Sequence, residues 1–386
     1  FFALSHGVGR GVLNKNKLKN SNDSSLFREK LMNSIQEKLP ILRTNFFGIN
    51  NIQPVWGSDF ENELSDYTNS KFSIGVGNAT DAMEIYLQAI GLQKGDEVII
   101  SSHTMLATAS AIVHAGGKPV PVEIGYDNLI DPDCIESAIT NNTVGIMPTQ
   151  LNGRTCNMDK ILEIATKHKL FVVEDAAQAL GSKFKEKYAG TFGLGSCISF
   201  FPAKVLGCFG DAGAILTQEE DIYDKCYQIH DHGRDTDGEV KRWGRNSRLD
   251  NIQAAILSHK LKSYDSVITR RRAIAKIYQD RLENLNELQL PAGPEVDGDN
   301  FDTYQNYELQ ADKRNDLQVF LKQSHIGTLI QWGGTAIHQF TNLGFNQDRP
   351  NTDKFFERCI MLPMNVFISD DDVNYVCDKV TEFYRS

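Results

Sequence analysis

The chain has 386 residues, 41% of them hydrophobic and 23% charged, a composition that suits a soluble globular protein of one large and one smaller domain. Its net charge of −10 argues against a general nucleic-acid binder, since phosphate backbones need a basic surface, yet leaves room for a small anion held by a local cluster. No run approaches the roughly eighteen apolar residues of a membrane span, and the seven cysteines include no CxxC pair, which predicts reduced thiols in a cytoplasmic protein.

Residues 1–20, "FFALSHGVGRGVLNKNKLKN", lack an unbroken apolar core and a small-residue cleavage site, so they read as a mobile basic extension rather than a signal peptide. The stretch 24–38 places Leu26, Leu31 and Ile35 at helical spacing behind a Ser/Asp start. From residue 72 strands and helices alternate. "FSIGVG" predicts a strand, and "NATDAMEIYLQAIG" a helix with Ala82, Ile85, Tyr86, Ala89 and Ile90 on one face. "DEVIISS", "KPVPVEI", "TVGIMPT" and "LFVVED" read as further strands, and "TMLATASAIVHAGG" and "MDKILEIATKHK" as helices between them. This alternation predicts an α/β domain over 21–255, with a largely parallel sheet covered on both faces.

The stretch 249–285 contains no Pro or Gly and predicts one long helix or two abutting ones. Beyond it come a turn-rich segment, the strands "YQNYELQ", "IGTLIQW" and "CIMLPM", and the helices "RNDLQVFLKQSH" and "DDDVNYVCDKVTEFY". That is a small α+β domain over 256–386, joined to the large one by the long helix.

Three stretches carry chemistry. "LFVVEDAAQALG" puts Asp175 at the carboxyl end of an apolar strand, the edge where open α/β sheets bind ligands; a helix cap is the competing role for such an Asp. "GVGNATDAM" brings small residues and Thr80 to a strand-to-helix turn, where free amides attract phosphate; an ordinary cap at Asn78 or Thr80 would produce the same pattern. "SFFPAKVLGCFGDAG" places Lys204 among apolar and small residues, where desolvation lowers an amine's pKa and leaves it nucleophilic. The competing role is a lysine whose tip reaches solvent. A phosphate turn, a strand-end carboxylate and a sequestered amine, in that order, suit pyridoxal phosphate.

The stretch "EDAAQALGSKF…AGTFG…SFFPAKVLGCFGDAGAI" resembles the DegT/DnrJ/EryC1/StrS sugar aminotransferases, a branch of the fold-type-I pyridoxal-phosphate enzymes, from about residue 21 to the C-terminus. The resemblance implies an aspartate-aminotransferase-like fold and makes Lys204 the lysine that forms a Schiff base with the cofactor and later shuttles protons. It implies that Asp175 pairs with the pyridine nitrogen, Gln178 with the ring hydroxyl, and Ala177 with a ring face. Ser199, Thr80 and the amide of Ala79 take the phosphate. "GRNSRLDNIQAAIL" matches a further family motif, in which Asn246 reaches the phosphate of the other subunit of an obligate homodimer with composite active sites. Two positions depart from the family pattern. Met105 stands where an aromatic usually stacks on the ring, with His103 as a nearby substitute, and Gln150 and Asn152 stand where a His or aromatic is common.

By that resemblance the activity is transfer of an amino group, with L-glutamate as donor, to a nucleotide-diphosphate keto-deoxysugar, leaving pyridoxamine phosphate between half-reactions. "NSRLD" leans toward sugar C3 rather than C4. Lys204, where the family's dehydratases carry histidine, favours amino transfer over dehydration. Met105 lends weight to a third reading, a catalytically silent sensor or scaffold. Arg245 and Arg248, with Lys241 and Arg242, form a basic group suited to a diphosphate or to a solvated face. Trp332 and His338 either line the substrate mouth or pack in the core. The "HDHG" stretch lacks further ligands at metal-binding spacing.

Overall fold

The computed structural model describes residues 55–295 and 298–385. The extension expected over 1–20 and the helix expected over 24–38 lie outside the described residues.

The strands β1 (Phe72–Val76), β2 (Glu97–Ser101), β3 (Lys118–Val122), β4 (Thr143–Met147), β5 (Phe171–Asp175), β8 (Gly195–Ser199) and β9 (Gly213–Thr217) form one seven-stranded sheet in the order β3-β2-β4-β5-β8-β9-β1. Only β9 runs against its neighbours, so the carboxyl ends of the other six share one edge. Pro119 and Pro121 are tolerated because β3 lies at the border of the sheet, where an absent N–H can face outward without breaking the ladder.

Alternation along each strand divides the side chains between two cores. Ile74, Val98, Ile100, Met147, Val173, Cys197 and Ile215 face helices α2 (Ala79–Ala89), α3 (Leu106–His114) and α6 (Glu220–His230). On the other face Ile198, Ala214 and Leu216 pack on α1 (Val55–Thr68) and α7 (Asn251–Leu261), while Ile99, Ile146 and Val172 pack on α4 (Pro132–Ala138) and α5 (Met158–His168). A hairpin of β6 (Lys183–Phe184) and β7 (Lys187–Tyr188) lies between β5 and β8 in sequence. Among the described residues no helix is long and apolar enough to cross a membrane.

The stretch 249–285 is two helices, α7 and α8 (Tyr264–Leu282), separated at Lys262–Ser263. α8 belongs to two cores. Tyr264 and Ile268 join the core of the large sheet, whereas Ile274, Ala275, Tyr278 and Leu282 join a second core. The second core is closed by β10 (Leu288–Gln289), β12 (Tyr307–Ala311) and β13 (Cys359–Leu362), an antiparallel sheet, and by α9 (Arg314–Gln323) and α11 (Asp370–Arg385). The short β11 (Asn300–Phe301) instead pairs with β6, and α10 (Pro350–Arg358) precedes β13.

The strand expected from "IGTLIQW" does not form: only Leu329 bridges to Met361. Trp332, Gly333 and Gly334 have φ of 46°, 71° and 80°, left-handed values that turn the chain away from the sheet.

Phe60 of α1 and Phe200, which follows β8, are both fully buried and meet edge to face at 5.2 Å. Phe60→Ala is expected to lower unfolding stability by about 3–5 kcal/mol, read by equilibrium urea denaturation, with Phe60→Leu costing less than half as much.

Candidate active site

The register of the sheet assembles the site. Asp175 pairs with Cys197, Ser199 two residues further along β8 pairs with Gly213, and Gly213 pairs with Val76 at the end of β1. The strand-end carboxylate, the end of β8 and the β1–α2 turn therefore occupy adjacent positions on one edge. Gly213 is required there: a Cβ would lie 2.6 Å from the carbonyl carbon of Asn78 and 2.7 Å from the nitrogen of Ala79. Its absence lets the start of β9 press against the N-terminus of α2.

Asn78 is the cap of α2, accepting the Asp81 N–H at 2.8 Å. Ala79 and Thr80 occupy the first helical turn, whose amides have no acceptor within the helix, and both residues are half-buried. Thr80 is thus left available to a ligand rather than used as the cap. Ser199 is also half-buried, its Oγ accepting the Phe201 N–H at 3.3 Å.

Asp175 is buried, and burial pushes its pKa upward. Three partners oppose that push: the Thr108 hydroxyl donates to Oδ2 at 2.6 Å, the Ala177 N–H donates to Oδ1 at 3.1 Å, and Lys204 supplies positive charge. Thr108 is itself in contact with Thr104, and Thr104 with Thr149, each at 2.8 Å. Lys204 lies on the turn after β8, where its N–H donates to the Phe201 carbonyl at 2.8 Å. Part of its surface remains accessible, but its amine is deep enough that burial pulls its pKa to about 8, with Asp175 pulling the other way.

These features fit pyridoxal phosphate. A carboxylate held by two donors can face a protonated ring nitrogen, and an amine near pH 8 can be neutral without a strong base. The α2 amides, with glycine pressed beside them, can receive a phosphate.

The chain after β5 makes turns rather than a helix, and Gln178 engages residues of other segments. Its Oε1 accepts the Asn152 N–H at 3.0 Å and Asn306 Nδ2 at 3.4 Å. Asn152, in the left-handed region at φ 57°, continues the network: its Oδ1 accepts from Asn306 and Gln331 at 2.8 and 2.7 Å, and its Nδ2 donates to Glu308 Oε2 at 2.7 Å. A cavity of about 580 Å³ lies beside these residues, walled by Asn128, Asn152, Arg154, Tyr304, Asn306 and Glu308 among others. Gln150 does not join them. It is fully buried and donates to Glu174 at 2.6 Å.

Met105 is 52% exposed at the start of α3. His103 is fully enclosed, its ring set against Phe355, Phe356 and Trp332 at 4.4, 5.2 and 5.5 Å. Only Met105 of the two candidates therefore has an open face. His103 Nδ1 donates to the Asn128 carbonyl at 2.9 Å, and burial lowers its pKa to about 4. The neutral ring then presents a lone pair on Nε2, 3.5 Å from Glu308 Oε2. Glu308, 3% exposed, is pushed up to about 7 by burial, so it can hold a proton against that lone pair.

The remaining sequence-derived residues lie elsewhere. Arg245 is paired with Glu84 and Gln88 of α2, and Arg248 with Asp231 at 2.9 Å. Asn246 is exposed on a loop laid along β1, where Gly77 donates to the Ser247 carbonyl at 3.2 Å and Ser247 Oγ donates to Asp81 at 2.6 Å. Trp332 packs on His103. His338 is buried, accepting from Ser102 at 2.5 Å and donating to Asp353 at 2.9 Å.

Sequence reasoning missed Thr108, Thr104, Gln305 and Glu308. Thr104 and Thr108 carry a usable signal, hydroxyls four apart at the start of a helix after a strand. The others carry none, because the partners that define them, Ala203 and Val205 for Gln305 and Asn152 for Glu308, lie a hundred or more positions away in sequence.

The sequence profile of the DegT/DnrJ/EryC1/StrS aminotransferase family matches residues 56–381. This chain belongs to that family. It is 39% identical over 329 residues to a "pleiotropic regulatory protein" of Geobacillus stearothermophilus, covering 84% of this chain and 88% of the relative. It is 34% identical over 326 residues to the UDP-2-acetamido-2-deoxy-3-oxo-D-glucuronate aminotransferase of Pseudomonas aeruginosa, covering 84% and 89%. Its fold matches NtdA of Bacillus subtilis, solved with bound cofactor PMP, with a TM-score of 0.84 at 29% identity over 95% of this chain and 83% of that one. Family membership and fold together make the chain an α/β aminotransferase of the fold-type-I architecture.

Glu308 gives the first test of the buried network. Its pKa is raised on folding, so the native state holds a proton that the unfolded state releases from about pH 4.5, and native stability falls as pH rises from there to about 7. Glu308→Gln is expected to match the wild type in urea unfolding at pH 4.5 and to exceed it at pH 8 by on the order of 2–3 kcal/mol.

Proposed function

We propose that the chain is a homodimeric, pyridoxal-phosphate-dependent aminotransferase that moves an amino group from L-glutamate to a nucleotide-diphosphate keto-deoxysugar, at C3 in preference to C4. The observation that carries the reading is Lys204, an amine withdrawn from water and facing the charge of the buried Asp175. The P. aeruginosa relative, named for a 3-oxo nucleotide sugar, supports the substrate class and the carbon position. Seven unpaired cysteines suit a reducing cytoplasm.

When bound, pyridoxal phosphate supplies an aldehyde to hold the amino group and a ring to spread the developing negative charge. Ala79, Thr80 and Ser199 would hold its phosphate, Gln178 its ring hydroxyl, and Asp175 its ring nitrogen. Ala177 and Met105 would flank the ring, methionine through its polarizable sulfur. Thr108 and the Ala177 N–H both donate to Asp175 and favour its charged form against burial, and that charge would keep a proton on the ring nitrogen. Lys204 Nζ, nucleophilic when neutral, would hold the cofactor's aldehyde and, once released, would take up and give back a proton. Asn246 would complete the site of a second copy, and the exposed Phe209 and Ile252 near the lysine turn offer apolar surface for that copy to cover.

Protein loaded with cofactor is expected to show a visible absorption band that borohydride abolishes, and Lys204→Ala to lack it. A wild-type protein without the band overturns the enzyme reading in favour of a regulatory relative. Amination of a panel of nucleotide keto-sugars with ¹⁵N-glutamate reads the substrate, and turnover without any amino donor would instead mark a dehydratase.

The rate at which apoprotein captures pyridoxal phosphate provides a pH test. Because only the neutral amine attacks, the rate should fall about tenfold per pH unit below the Lys204 pKa and level off above it. The break is expected at about pH 8, by stopped-flow absorbance; an ordinary lysine would keep rising to about 10.4.

A further inference from the structure

A lysine side chain is a flexible four-carbon stem, so the place where its amine stands depends on how firmly the main chain holds the Cα. Two main-chain bonds brace the turn from Phe200 to Cys208 internally, Lys204 N–H to the Phe201 carbonyl at 2.8 Å and Cys208 N–H to the Phe200 carbonyl at 2.9 Å. The first holds the Ala203–Lys204 peptide by its N–H alone, and neither reaches that peptide's carbonyl or the Lys204–Val205 peptide. Those two groups, the Ala203 carbonyl and the Val205 N–H, are held from the other core. Gln305 Nε2 donates to the Ala203 carbonyl at 3.0 Å, and Gln305 Oε1 accepts the Val205 N–H at 2.9 Å. One planar carboxamide thus spans the lysine on its two sides.

The clamp itself is anchored. Gln305 is 7% exposed and precedes β12, on a segment that Arg271 of α8 grips from behind. Arg271 Nε donates to the Tyr304 carbonyl, and its Nη2 to the Gln305 carbonyl, both at 2.7 Å. From the other side the segment meets Gly153, at φ 85°, so closely that a Cβ there would lie 2.6 Å from Tyr304 N and 2.7 Å from Gln305 N. Thr303 N–H donates to the Gly153 carbonyl at 2.8 Å. Buried donors and acceptors that satisfy one another in this way cannot shift singly without leaving a polar group unpaired.

We propose that Gln305 is the positioning residue of the catalytic lysine, fixing where Nζ stands relative to Asp175 by clamping the peptide groups on both sides of Lys204. It touches neither substrate nor cofactor and acts through the main chain. The inference rests on Lys204 serving as proposed above. Its consequence is that the second core, through Arg271 and Gln305, determines the geometry of a lysine that belongs to the first.

The test uses Gln305→Met, which keeps length and bulk but loses both bonds, and Gln305→Glu, which keeps the acceptor for Val205 and loses the donor to Ala203 when ionised. Two readouts are needed. In cofactor-loaded enzyme, kcat is expected to fall about 10–100-fold in Gln305→Met, with KM for the amino donor within about threefold. Gln305→Glu should fall between Gln305→Met and wild type. In apoprotein, the titration of Lys204, followed by competitive amine labelling and peptide mass spectrometry, is expected to move about one unit upward in Gln305→Met as the loosened amine regains water. A folded Gln305→Met with wild-type kcat and unmoved Lys204 titration overturns the proposal. So does a lowered melting temperature with unchanged kcat per bound cofactor, which would make the clamp merely structural. Should Gln305→Met fail to fold, Gln305→Glu decides by the same two criteria. A wild-type protein with no lysine-bound cofactor band would refute the function proposed for Lys204, while the apoprotein titration would still decide the clamp.

Discussion

One carboxylate and one amine, each withdrawn from water and each acting on the other, set the terms for the rest of this molecule. Burial drives Asp175 and Lys204 toward their uncharged forms, and their mutual attraction opposes it. Neither effect would survive a loosely packed site, because water would screen the attraction and relieve the desolvation together. The seven-stranded sheet supplies the required rigidity. It holds Asp175 and the end of β8 in fixed register, and Gly213 brings the α2 amides against the same edge.

The same demand for rigidity explains why the two cores are not independent. α8 contributes side chains to both, and Arg271 in its middle turns inward to hold main-chain carbonyls of the segment before β12. Asn152 and Gln178 reach from the large sheet to Asn306, Glu308 and Gln331 on the other side. Neutral amides and main-chain carbonyls make up much of this junction, alongside the Arg271 guanidinium and the Arg154–Asp302 ion pair at 2.8 Å.

Sequence legibility followed the physical range of each signal. The alternation of apolar strands and amphipathic helices from residue 72 onward is a local pattern, and the parallel sheet with its carboxyl-edge site could be read from it. Asp175 and Lys204 were legible because each stands out against its own neighbours. "IGTLIQW" misled, since its apolar run carries strand propensity while the glycines just beyond it, with Trp332 in the left-handed region, decide the outcome. Met105 and His103 could not be separated by sequence, because the aromatic enclosure of His103 comes from residues 332, 355 and 356. Gln305 looked like any polar residue in a strand approach, and only the fold brings it to Lys204, about a hundred positions earlier.

The amides of Asn152 and Gln331 gathered on Glu308, beside the neutral ring of His103, give this part of the junction a short range of action. Ion pairs attract over many ångströms and weaken gradually as surfaces part. A contact made of neutral amides exerts almost no pull until its partners are within bonding distance, and then all of it at once. The amide part of the seam is therefore a latch rather than a spring, set beside the Arg154–Asp302 ion pair at 2.8 Å. Deprotonating Glu308, which burial resists, sets a bare carboxylate beside the His103 lone pair in the middle of the seam.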